Sequence, residues 1–150
     1  MRGFVLRVTA FVATFAFSVG SNSVIDYFYP RYEVLSMASM FIPPDGRGGS
    51  TSYRSRSGVY LITEHFDFPS HEAANVAFQN MLRGSRILER EVLYDRDGKL
   101  VTGERVVITY RSERGVDAAA VISLDNTKLY EFASTSLRHA VSFERAHRRY

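Results

Sequence analysis

Four histidines, His65, His71, His139 and His147, supply the imidazoles of this 150-residue chain, and no two of them stand at metal-ligand spacing. His71-Glu72 begins like the H-E-x-x-H helix of zinc peptidases, where two histidines one turn apart hold the metal and the glutamate works on bound water. The second ligand position is Asn75, so that chemistry is absent. Zero cysteines removes thiolate metal sites, disulfides and a cysteine nucleophile. Ser134 and Ser136 lie close to His139, an arrangement that can serve as nucleophile and base, but serines ahead of a helix more simply cap it. Asp95, Asp97 and Gly98 begin like a calcium loop without its remaining oxygen ligands. No nucleophile elbow and no phosphate-binding glycine motif occurs, and the Gly46–Gly49 run precedes no helix. No catalytic residue, metal or cofactor is therefore assigned, and the balance is against an enzyme.

One set of charged side chains survives, and a hairpin must position it. Residues 87–110 form two apolar-alternating runs around Asp97-Gly98. A two-residue turn there suits a type I′ hairpin, yet it would oppose Glu91 to Glu104 and Arg90 to Arg105. A five-residue loop over 95–99 instead opposes Tyr94 to Leu100, Arg90 to Glu104, Glu89 to Arg105 and Leu88 to Val106. Each opposed charge pair contributes roughly 0.2–1 kcal/mol, which selects the longer loop. Leu88, Val92, Tyr94, Leu100, Val106, Ile108 and Tyr110 then share the core face, together with Arg90 and Glu104. Gly103 interrupts the second strand, where glycine marks a bulge. An ion pair on a core face either closes the core's edge or anchors a ligand in an apolar cavity. Glu64, two residues beyond Ile62 on the preceding strand, is expected to join it. Arg90, Glu104 and Glu64 are thus the candidate ligand-binding residues. Glu64 and Glu104 are also the carboxylates a hydrolase would need as acid and base.

The elements around this hairpin follow from periodicity. Residues 58–68 are rich in β-branched and aromatic side chains and predict a strand. Ser70 stands as an N-cap before Ala74, Ala77, Phe78, Met81 and Leu82, which fall on one helical face, and Gly84 stops that helix. Past the hairpin, a loop over 111–115 leads into a strand that pairs Tyr110 with Val116 and Ile108 with Ala118. A three-residue turn after Asp125 sets Tyr130 opposite Ile122 and Phe132 opposite Ala120, the choice that keeps apolar residues inward. Ser134 or Ser136 caps a last helix over 137–148, with Leu137, Ala140, Val141 and Phe143 inward. Its terminal arginines suit the helix dipole. The expected fold is α+β: a four- to five-stranded antiparallel meander crossed by one amphipathic helix, in the order β-α-β-β-β-β-α. This order resembles cystatin-like folds in outline, and fold alone does not imply function.

The rest of the chain concerns location. Residues 1–23 carry Arg2 and Arg7 and then an uncharged apolar run from Val8 to Val19, the layout of a signal peptide or a signal anchor. The run is short of the ~20 residues a membrane-spanning helix needs. Tyr27, Phe28, Tyr29 and Tyr32 suit a membrane interface behind an uncleaved anchor. Residues 24–57 form an aromatic, methionine-containing and then Pro-Gly-Ser-rich segment, expected as a short helix near Met37–Ile42 and a linker after Pro43. The compact domain then occupies 58–150. Residues 21–150 hold 17 basic and 16 acidic side chains, a balance that argues against nucleic acid as a partner. The expectation is an exported (periplasmic or extracellular) or inner-membrane-anchored domain that works through protein or surface contacts. A small-ligand module is the alternative, and a carboxylate-dependent hydrolase the weaker one.

Overall fold

A computed structural model describes residues 5–7, 32–42, 46–55, 58–112 and 115–148, with side chains described over 46–55, 58–112 and 115–147. The apolar run Val8–Val19 and the cluster Tyr27–Tyr29 lie outside the described residues. In chain order the elements are β1 (Val5–Arg7), β2 (Tyr32–Ile42), β3 (Gly46–Ser55), β4 (Tyr60–Asp67), α1 (His71–Leu82), β5 (Arg86–Tyr94), β6 (Val101–Arg111), β7 (Asp117–Asp125), β8 (Lys128–Ser134) and α2 (Leu137–Arg148). All strand pairs are antiparallel, and the lateral order is β1-β2-β3-β4-β8-β7-β6-β5.

From β4 onward the expected element order is the observed one, and β5 to β8 do form a meander. Two expectations need correction. The sheet is larger than four or five strands, with six in the part whose side chains are described, because Gly46–Ser55 is β3 rather than linker. Its glycines disguise it. A Cβ at Gly48 would collide with the His65 carbonyl and the Phe66 ring of β4, so the strand approaches its neighbour where only glycine fits. The Met37–Ile42 stretch likewise pairs with β3 as part of β2 instead of forming a helix.

A helix packs on each face of the sheet. α1 is capped by Ser70, whose Oγ accepts the Ala73 N–H at 3.2 Å. Its Ala74, Ala77, Phe78 and Leu82 pack on Phe66, Val106, Ile108, Ala120, Ile122 and Leu129. α2 covers the opposite face, where Ala140 and Phe143 meet Leu61, Val107, Val121 and Phe132. Leu137, expected inward, is the first residue of α2 and is exposed. His147 closes this second core, its ring stacked on Phe143 at 4.6 Å and its Nδ1 3.2 Å from the Phe143 carbonyl. Burial lowers the pKa of His147.

Three registers differ from expectation. In the β5–β6 hairpin Arg90 lies opposite Val106, Glu91 opposite Arg105 and Val92 opposite Glu104, two residues from the expected pairing. Over residues 89–93 the shift of two preserves the face of each side chain, and Val106 and Ile108 do enter the core beneath α1. At the bulges after Ile87 and Leu93 the shift is one, and Leu88, Val92, Tyr94 and Leu100, expected on the core face, are exposed because α1 packs over β7 and β8 rather than over β5. The turn runs over 95–100, closed by Asp95 N–H to the Leu100 carbonyl at 2.8 Å and by Lys99 N–H to Asp95 Oδ1 at 2.8 Å. Gly103 flanks a bulge, since Leu93 faces Gly103 but Tyr94 faces Val101. A Cβ there would strike the Leu124 carbonyl. Between β6 and β7, Tyr110 faces Ala118 and Ile108 faces Ala120, again a shift of two. Between β7 and β8 the turn is the two residues Asn126-Thr127, with Asn126 at φ 54°, a conformation asparagine tolerates better than most residues. Ile122 therefore faces Glu131, and Ala120 faces Ala133.

Candidate functional site

Arg90 and Glu104 do meet. Arg90 Nε lies 2.7 Å from Glu104 Oε1, with the two side chains 51% and 25% exposed. They are diagonal neighbours rather than direct partners, because Arg90 stands opposite Val106 and Glu104 opposite Val92. The contact lacks hydrogen-bond alignment, leaving Glu104 Oε1 buried without a hydrogen-bond partner among the described residues. The pair bridges β5 and β6 at the end of the described sheet.

Glu64 does not join them. β4 is separated from β6 by β8 and β7, and at ~4.8 Å per strand Glu64 is about 14 Å from Glu104 and about 19 Å from Arg90. The expected acid and base, Glu64 and Glu104, thus stand too far apart to act on one bond as drawn. Glu64 instead lies directly opposite Glu131 on β8, on the α1 face of the sheet, so two carboxyl-bearing side chains stand side by side. Burial, then the charge and hydrogen bond of Glu64, push Glu131 up to about 8. Tyr110, which packs at the margin of the α1 core, is raised by its own burial and by the charges of Glu131 and Glu64. Two carboxyls and a phenol form a polar group beside the apolar core under α1. Next to it Ile62 is 41% exposed, so α1 leaves this side of the sheet open among the described residues.

Glu131 escapes sequence reasoning because its strand, Leu-Tyr-Glu-Phe-Ala, is apolar at both parities. Alternation selects a register only when one face is wet. Here both faces are dry, and the rule that placed Tyr130 and Phe132 beneath α1 had no force. The usable signal was the glutamate itself, which has no wet face to occupy in either register.

A second network lies under α2. Arg105 and Glu144 are 3% and 1% exposed. The guanidinium donates from Nε to Oε1 and from Nη2 to Oε2 of Glu144, both at 3.1 Å. Nη1 donates to Glu89 Oε1 at 2.8 Å and lies 3.8 Å from Glu91 Oε2. Burial alone would lower the Arg105 pKa, but the hydrogen bonds and charge of Glu144, with those of Glu89, raise it on balance. The sequence pointed to Glu89–Arg105 contact but not to Glu144. That residue sits one helical turn beyond Ala140, on the buried face of α2.

The last feature is the sheet's free edge. Among the described residues β5 has a strand partner on one side only. Ile87, Leu88, Val92, Tyr94, Leu100 and Val101 along this hairpin are 43–68% exposed.

Among the described residues no group of three or more His, Asp or Glu side chains could hold a metal ion, and no helix is long and apolar enough to cross a membrane. Comparison with protein-family models, curated proteins and solved structures returned no match to this chain.

Proposed function

We propose that this is an exported or membrane-anchored domain that acts by contact with another protein, which adds an extended segment to the free edge of β5. The observation that carries the reading is the edge itself. A strand with unpaired N–H and C=O groups is a template for another chain, and main-chain pairing with side-chain pockets is a recurring mode of peptide capture. Here the edge is flanked at both ends by exposed large apolar side chains. A second copy of β5 is a poor occupant. Antiparallel self-pairing centred on Arg90 would oppose Arg90 to Arg90 and Glu89 to Glu91, and like charges face to face are destabilising. Export rests on the layout of residues 1–23.

A photo-crosslinking residue at Leu88 or Val92, introduced in the native host, is expected to give one discrete adduct with a different protein. The same probe at Val76, exposed on α1, gives none. Leu88→Lys with Val92→Lys abolishes the adduct without unfolding the domain. Adducts from Val76 equal to those from β5, or only homodimeric adducts, would sink the reading. The intact mass of the mature protein tests export: loss of roughly the first 20 residues marks a cleaved signal, full length in the membrane an anchor, and full-length protein free in the cytoplasm contradicts both.

The Glu64–Glu131 pair beside exposed Ile62 favours a second reading, in which the uncovered part of the α1 face binds a small polar ligand. Glu131→Gln would then weaken ligand binding and leave the β5 adduct unchanged.

A further inference from the structure

We propose that the β4–β8 ladder is a pH-operated latch, held shut while Glu131 keeps its proton opposite Glu64 and loosened when Glu131 ionises. The ladder runs from the Leu61–Ser134 pair to the Asp67–Lys128 pair, and Glu64–Glu131 is its midpoint. Among the described residues it is also the one strand junction between β1–β4 and β5–β8, so loosening it leaves the two halves of the sheet joined only through the helices packed on its faces. Like charges directly opposed across strands destabilise pairing, and the cost grows when water is excluded.

Among the described residues the surroundings offer the pair no countercharge. On the same face, Ser50 of β3 stands opposite Glu64, and Ile122 of β7 stands opposite Glu131. Along the strands the flanking same-face residues are Ile62 and Phe66 on β4, Leu129 and Ala133 on β8, all uncharged. From β6 the Tyr110 hydroxyl faces the pair. The titratable residues of α1, His71 and Glu72, are exposed at its first turn, where His71 Nδ1 meets the Asn126 carbonyl at 2.8 Å. The influences on Glu131 are burial and Glu64, and both favour its protonated form.

The sign follows from proton linkage. Opening the ladder exposes Glu131 to water, where it releases its proton near 4.5, against about 8 when the ladder is closed. Between those values opening releases a proton, so the open fraction rises with pH by up to about tenfold per unit and levels off above about 8. Amide hydrogen exchange on the full chain reads this directly. Protection factors of ladder amides in β4 and β8 are expected to fall across pH 5–8, approximately tenfold per unit at the steepest, and to lie below those of the β6–β7 ladder. In Glu131→Gln the profile is flat. Should that variant fail to fold, Glu64→Gln removes the opposing charge and the plateau is reached at lower pH. A flat wild-type profile, a slope that persists unchanged in Glu131→Gln or in Glu64→Gln, or identical protection in the two ladders at every pH overturns the proposal.

Discussion

The two faces of this sheet bury the same kind of group and handle it in opposite ways. Under α2, Glu144 meets Arg105 in a two-point contact, and charge is matched where water is excluded. Under the margin of α1, Glu131 meets another glutamate instead of a cation, and burial with that neighbouring charge favours its protonated form. The first arrangement is fixed over the working pH range, because a guanidinium does not deprotonate in proteins. The second is set by solution pH. Burying a carboxylate is therefore not one effect: the partner across the strand or helix decides whether the result is a permanent tie or a titratable one.

The contrast can be broken by substitution. Glu144→Ala leaves the buried Arg105 without its two-point partner, and such loss costs about 3–5 kcal/mol in urea unfolding. Replacing both, Arg105→Met with Glu144→Leu, should recover most of it, since matched apolar residues often replace a buried pair without penalty. A loss below ~1 kcal/mol in the single variant would show that Arg105 is well solvated.

Glu131→Gln should act in the opposite direction and only at one end of the pH range. Glu131's folded pKa lies above its ordinary value, so its favourable contribution is complete below about 4.5 and is lost as pH rises towards about 8. The variant is expected to be more stable than wild type by roughly 1–3 kcal/mol at pH 8 and equal within ~0.5 kcal/mol at pH 5. A destabilised variant at pH 8 would remove the distinction between the faces. Ser70→Ala, which uncaps the helix covering the α1 face, should cost about 1 kcal/mol at every pH and leave the Glu131 slope intact. Smallest of all, Arg90→Ala should shift stability by no more than ~0.5 kcal/mol, because a half-exposed pair is well screened.

What the sequence disclosed, and what it concealed, follows the same division between faces. α1 was legible down to its cap, since an amphipathic stripe and Ser70 are local signals. The hairpin's face assignment holds for Val106 and Ile108, because the register differs there by two residues, and Arg90 still reaches Glu104 along the diagonal. It fails for Leu88, Val92, Tyr94 and Leu100, which are exposed at the sheet's edge. β8 was misplaced because α2 dries the face that alternation assumes to be wet, so Phe132 packs as well on one side as Ala133 does on the other. β3 was missed because close approach to β4 selects glycine at Gly48, and glycine is also what linkers use. Glu64's true partner lay in the strand whose register was misread. The proper pairing of β4 depends on contacts across some seventy positions, which no local pattern encodes.

That same separation has a consequence during synthesis. When β4 leaves the ribosome, its later neighbour β8 is still roughly seventy residues upstream of the exit, at a few seconds' delay for ordinary elongation rates. Until then one edge of β4 stands open, with Leu61 and Phe66, both fully buried in the finished domain, still in water. The seam that joins the two halves of the sheet is thus the last to be sewn, and the nascent chain is most exposed to mispairing while it waits.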